Sequence, residues 1–144
     1  MPIVEGRYEA KISTTFKTVE DGISEIKKKI ERARRIRINN IPMNLLEDLK
    51  PLLAGKDLKI ILPIGEKPGE DLKRLGEVAT TKARIYIDHM GEEADSGSIC
   101  LSTVTFNIIW KENRILEIST MEYSKCVKCM LQTFEKAWKY SKKW

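Results

Sequence analysis

The order of apolar and polar positions divides the chain into elements before any other property is used. Ile23, Ile26, Ile30 and Ala33 recur at helical spacing, which places one apolar stripe inward. Thr18 or Asp21 suits the cap of that helix, and Glu20 or Glu25 its first turn. Ile36, Ile38 and Ile41 then alternate with Arg37 and Asn39, the period of a strand, closed by Pro42. Asn44 suits the cap of a second helix with Leu45, Leu46, Leu49, Leu52 and Leu53 inward; Pro51 predicts a kink or early end, and Gly55 a stop. Leu58–Ile64 is a nearly continuous apolar run, as in strands buried on both faces of a parallel sheet.

Gly65–Gly69 reads as a loop, followed by a short helix from Pro68 or Glu70 to about Ala79 with Leu72, Leu75 and Val78 inward. Ala83–Ile87 is the next predicted strand. Helices and strands alternating on short links imply right-handed crossovers and a parallel sheet. The pattern then changes. Asp88–Ser98 is polar and acidic, Ile99–Trp110 is a long β-branched and aromatic strand, Lys111–Arg114 is a hairpin turn and Ile115–Ile118 the returning strand. The last helix runs from about Ser124 to Ser141, with Val127, Met130, Leu131, Phe134, Ala137 and Trp138 docking on the sheet. The expected fold is α/β, a mixed and mainly parallel sheet with helices on both faces, in one domain over 1–144. Residues 1–18 are the least patterned; Tyr8, Ala10 and Ile12 alternate with charged residues and predict a short strand or loose extension.

Composition narrows the class. Apolar residues make up 42% and charged residues 33% of 144, enough for a real core and against intrinsic disorder. No apolar run approaches the ~20 residues of a membrane span, and Met1–Glu5 lacks the start of a secretory signal. Three cysteines give no disulfide framework, so a reducing, cytoplasmic setting is expected. The net charge of +5 is uneven: Lys125–Trp144 holds six lysines against one acid, Glu135. Arg32, Arg34, Arg35 and Arg37 form a second basic cluster. A solvated helix end, with lysines favourable to the helix dipole, is the first reading of them; such patches also attract phosphates, which makes Lys136, Lys139, Lys142 and Lys143 candidate nucleic-acid contacts.

Three groups of residues are candidates for chemistry. Cys126–Val127–Lys128–Cys129 is a C-x-x-C pair, able to hold zinc or an iron–sulfur cluster or to act as a redox dithiol. Cys100 and His89 are the residues available to complete four ligands. Asn39, Asn40, Pro63, Gly65, Asp88 and His89 all fall at the carboxyl ends of the expected parallel strands, a ligand-binding edge if the sheet is right, and ordinary turn residues if it is not. Gly65–Gly69 lacks the pattern of a phosphate loop, and no nucleophile elbow or His-Glu-x-x-His is present. No catalytic residue is assigned.

The element order resembles the phospholipase D-like fold. Asp21–Ala33 running into Arg35–Ile38 is similar to that family's isoleucine-rich opening helix and strand. Leu45–Leu53 followed by Leu58–Pro63 is similar to its next helix and strand, and Phe106–Leu116 to the strand and turn that carry the catalytic signature in active members. Phe134–Trp138 is similar to its closing helix. The resemblance covers roughly residues 19–141. Active members need His-x-Lys followed by Asp, and Val104–Glu112 holds no histidine and no lysine before Lys111, while His89 is followed by Met90–Gly91. The resemblance therefore implies a domain without phosphodiesterase chemistry by that route, more a binding module than an enzyme. Silent versions of the fold serve as effector domains of archaeal TrmB-type transcription regulators, which implies small-molecule sensing or protein interaction, with self-association as a dimer. Residues 1–18 leave no room for the winged helix of those regulators, so DNA binding does not carry over with the resemblance.

Overall fold

The computed structural model describes residues 13–144; the strand expected around Tyr8–Ile12 lies outside them. Among the described residues one sheet of nine strands is flanked by four α-helices. In chain order the elements are β1 (Thr14–Thr15), α1 (Val19–Arg32), β2 (Arg35–Asn39), α2 (Met43–Leu49) with a 3-10 turn at Lys50–Leu52, β3 (Asp57–Leu62), α3 (Glu70–Leu75) and β4 (Glu77–Thr80). The hairpin-rich half follows: β5 (Tyr86–His89), β6 (Glu92–Cys100), β7 (Thr105–Lys111), β8 (Arg114–Met121), α4 (Ser124–Tyr140) and β9 (Lys142–Lys143).

The strand order is β1-β8-β7-β6-β2-β3-β4-β9, with β5 on β6. Only β2–β3 and β3–β4 are parallel; the other six pairings are antiparallel. The mixed α/β class therefore holds, and the expectation of a mainly parallel sheet is corrected. The physical reason lies after β4. The segment expected as a third parallel strand, Ala83–Ile87, does not join β4. The chain crosses to the far side of β2 and forms β5, an exposed strand that folds back on β6. The larger part of the polar, acidic stretch Asp88–Ser98, from Glu92 on, is the first part of β6.

The third parallel strand is instead Glu77–Thr80. Gly76 ends α3 early because its backbone touches Leu58, leaving 2.6 Å between a Cβ there and the Leu58 carbonyl oxygen. Ile99–Trp110 is two strands, broken at Leu101–Val104, where Leu101 N–H donates to Val104 O at 2.9 Å.

Local chemistry sets most element ends. Thr18 Oγ1 accepts from Asp21 N–H at 3.1 Å and caps α1. α2 starts at Met43 after Pro42, earlier than Asn44 suggested. Pro51 ends it in the 3-10 turn. Lys50 then ties that turn to α3, donating to Glu47 and Asp71 at 2.6 Å each.

The main core lies between one sheet face and α1, α2 and α3. Ile36, Ile38, Ile60, Ile99, Phe106 and Ile108 from the sheet are fully buried against Ile26, Ile30, Leu46 and Leu49. On the other face α4 buries Val127 and Phe134. Its Glu135 reaches Arg37 at 4.0 Å, and Lys59 lies over the Trp138 ring at 5.3 Å. Helices thus cover both faces. No helix among the described residues is long and apolar enough to cross a membrane.

Candidate functional site

β2 and β3 are parallel neighbours in register, Asn39 beside Ile61, so their carboxyl ends form one edge. That edge brings together four of the six expected ligand residues: Asn39, Asn40, Pro63 and Gly65. Each has a different surrounding. Asn40 is buried with φ +53°. Its Nδ2 donates to Ile85 O at 3.2 Å and Ser96 O at 2.9 Å, and its carbonyl accepts from Trp110 Nε1 at 2.9 Å. It ties β2 to the chain crossing above it and to β6 and β7, so its polar groups are occupied by the fold. Pro63 is buried and Gly65 exposed. Asn39 is half-buried, and its Oδ1 has no hydrogen-bond partner among the described residues.

Asp88 and His89 are not at this edge. His89 pairs with Glu92, whereas Asn39 pairs with Ser98, six residues further along β6, or about 20 Å at strand rise. Asp88 accepts from Gly91 N–H at 3.1 Å and shapes the hairpin turn. The six-residue edge is corrected to four, because β5 leaves the parallel sheet.

The same topology separates the candidate metal ligands. Cys100 and Glu92, the partner of His89, sit eight residues apart on β6, about 26 Å. Cys126 and Cys129 lie on α4, half-buried and exposed, while Cys100 is buried in the sheet. Among the described residues no three His, Cys, Asp or Glu side chains converge as a metal site would require. The four-ligand set Cys100, Cys126, Cys129 and His89 is therefore not assembled.

A cavity of about 210 Å³ opens beside Gly65, where β3 and β4 end. Lys67 comes from the loop after β3, Lys82 from the link after β4, and Lys142 with Trp144 from β9 and the residue after it. The pairing of β9 with β4, Thr80 beside Lys142, brings the last two in. A hydrogen-bonded chain fixes the floor: Trp144 Nε1 donates to Thr80 Oγ1 at 2.7 Å, and that hydroxyl donates to Glu66 O at 2.7 Å. Trp144 N–H also donates to Val78 O at 3.0 Å. Lys142 Nζ stands 4.4 Å over the Trp144 ring, a cation–π contact. Among the described residues none of Lys67, Lys82 and Lys142 is in an ion pair. Three lysines and Glu66 thus line a recess of net positive charge at the carboxyl edge of parallel strands, which favours an anion.

Of the lysines expected to meet nucleic acid, Lys136 and Lys139 are exposed on α4. Lys143 is engaged at the end of that helix, donating to Trp138 O and to Ser141 O. Lys142 belongs to the cavity. The sequence marks Lys142 as a candidate contact but not the cavity, because Lys67 and Lys82 reach it only through strand pairing.

No family model matches the sequence, and no curated protein does. Solved structures do match. TrmBL2, described as an archaeal chromatin protein with a novel mode of DNA binding, superposes at TM-score 0.63 and 14% identity, covering 99% of this chain and 64% of that one. The chain thus spans under two thirds of that protein. NucT from Helicobacter pylori matches at TM-score 0.66 and 9% identity over 92% of this chain and 98% of the other. Nuc from Salmonella typhimurium, a phospholipase D family member, matches at TM-score 0.59 and 12% identity, covering 92% and 97%. The fold is phospholipase D-like, similar to that of a TrmB-type protein.

Proposed function

We propose, with the phospholipase D-like fold as premise, that this chain is a non-catalytic sensing domain that takes a phosphate-bearing small molecule in the cavity between Lys67, Lys82, Lys142 and Trp144. The observation that carries the reading is three lysines against one acid, Glu66, around one recess, none of the three in an ion pair among the described residues, at the edge where α/β sheets hold ligands. The Trp144 ring gives an apolar surface for the rest of the molecule, and Thr80 sits beneath it. The non-catalytic part is supported by β7 and its turn. Between Val104 and Glu112 the polar side chains are Thr105, Asn107 and Lys111, where active relatives need His-x-Lys. A threonine hydroxyl or an asparagine amide cannot make the covalent phosphohistidine. The likeness to TrmBL2 supports a role beside archaeal transcription or chromatin.

Thermal denaturation with inorganic phosphate, nucleoside monophosphates and sugar phosphates tests the reading. A ligand at about 100 times its Kd should stabilise the chain by about 2.7 kcal/mol, a Tm rise of several degrees. The double variant Lys82→Glu, Lys142→Glu should remove that rise while melting normally without ligand. If no phosphate compound raises Tm, the reading fails.

A further inference from the structure

The second basic cluster lies at the opposite edge, where strands β2 and β3 begin. There the end of α1, its link to β2 and the β6–β7 turn enclose a groove of about 340 Å³. Lys29, Arg32 and Arg34 come from the first two, Ser102 and Thr103 from the turn. Cations at the end of a helix ordinarily answer its negative pole. In this molecule that task is taken by another residue. Lys56 Nζ donates to Glu31 O at 3.0 Å and to Ala33 O at 2.7 Å.

Other cations of the cluster also have internal work. Lys27 pairs with Asp48 at 3.0 Å, and the buried Arg37 holds Asp57 at 3.3 Å. Lys28, Arg32, Arg34 and Arg35 are exposed and in no ion pair among the described residues. Lys29 pairs with Glu25 on its own helix at 3.9 Å. Four cations on this edge are thus in no ion pair among the described residues, and a fifth, Lys29, is paired within its own helix. They also extend beyond a single socket. A neighbouring recess of about 480 Å³ shares Lys29 and Arg32 with the groove and adds Lys28, with Glu25 and Glu31 on the same helix. Separated cations along a track, faced by two hydroxyls, match a row of phosphates rather than one.

The geometry points to a phosphodiester-binding edge, in which Lys29, Arg32 and Arg34 take successive backbone phosphates of a nucleic acid and Ser102 and Thr103 donate to phosphate oxygens from the facing wall. This surface is separate from the cavity at Lys82 and Lys142 and does not depend on it.

Fluorescence anisotropy with a short labelled duplex of mixed sequence, and with its single strand, tests the assignment on the whole chain. Affinity should fall steeply between about 50 and 200 mM salt. Arg32→Glu with Arg34→Glu should weaken binding about tenfold or more and lower the salt slope by about 2. Thr103→Glu, which leaves α1 intact, should weaken it in the same direction. Lys136→Glu with Lys139→Glu on α4 should leave affinity within about twofold, since isolated surface charges away from the track act weakly. Absence of salt-dependent binding to duplex and strand would overturn the proposal. So would a loss caused by the α4 pair and not by the Arg32/Arg34 pair, or pyrophosphate binding at the groove without either nucleic acid.

Discussion

The two faces of the sheet follow different rules. Under α1, α2 and α3 the inward positions of the central strands are aliphatic or aromatic apart from Gly97: Ile36 and Ile38 on β2, Ile60 on β3, Ile99 on β6, Phe106 and Ile108 on β7. Under α4 the alternate positions of the same strands are mostly polar, with Arg37, Asn39, Lys59, Ser98, Thr105 and Asn107 beside Cys100, Ile61 and Ile109. The register aligns Asn39, Ser98, Asn107 and Ser119 as one polar row across four strands. Burial of apolar area stabilises, at about 25 cal/mol per Å², and the first face supplies most of it, with Ile61, Val127 and Phe134 adding to it on the second. The second face contains Asn39 Oδ1, buried without a partner among the described residues, which costs roughly 1–3 kcal/mol. The first layer therefore carries the larger share of the core, and the second gives up apolar area for polar side chains held in place by the sheet.

The largest test of that contrast sets two phenylalanines against each other. Phe106 and Phe134 are almost equally buried, at 0% and 1% exposure, on opposite faces. Phe106→Ala should cost about 5 kcal/mol, the upper end for such truncations, because its neighbours are locked in the closed core. Phe134→Ala should cost about 3 kcal/mol or less, since α4 can settle onto the space. Urea denaturation measures both. Equal losses would remove the asymmetry.

Asn40 comes next, because it stands where the two halves of the sheet meet. Asn40→Gly keeps the positive φ of +53° but removes the donations to Ile85 and Ser96, an expected cost of about 2 kcal/mol. Asn40→Ala should lose about 1 kcal/mol more, because a Cβ without the amide disfavours that backbone. Gly97 packs against the same residue. A Cβ there would lie 2.2 Å from the Asn40 carbonyl oxygen, so Gly97→Ala should destabilise by about 1–3 kcal/mol through overpacking. If Gly97→Ala were neutral in a chemical melt, the close approach of β6 to this turn would be wrong.

The contrast also explains what could be read from the chain. α1, α4, β2 and β3 carry strong local periods, and their positions followed from those periods with caps at Thr18 and a break at Pro51. What failed was non-local. Glu92 and Glu93 are exposed in β6 and pair through their backbone, so their side chains carry no strand signal. Val78 and Ala79 continue a helical stripe in sequence, yet they belong to β4 because it pairs with β3. Leu101–Val104 turns without glycine or proline, so only the weaker turn formers Ser102 and Thr103 mark it. The site divides in the same way. Gly65 was found from its loop, whereas Lys82 and Lys142 meet only because β9 adds to β4, a pairing that bridges 62 residues of chain from Thr80 to Lys142.

The smallest effect concerns Cys100, at 0% exposure on the polar face. Burial pushes its thiol above the ordinary value of 9.0, and hydrogen bonds with Thr105 and Ser98 pull it back only in part. The folded thiol therefore ionises later than the unfolded one. Stability is complete below the ordinary thiol range and declines as pH rises toward the raised value, because the unfolded chain loses its proton first. Cys100→Ala should lower stability by about 1–2 kcal/mol at neutral pH from the emptied space, yet flatten the alkaline decline. Thiol reagents should label the exposed Cys129 and half-buried Cys126 at once and Cys100 only on unfolding. An unchanged alkaline slope in the variant would remove burial as the cause. Fast labelling of Cys100 in the native chain would mean that α4 lifts from the sheet, and the polar face would then be open to solvent rather than closed beneath its helix.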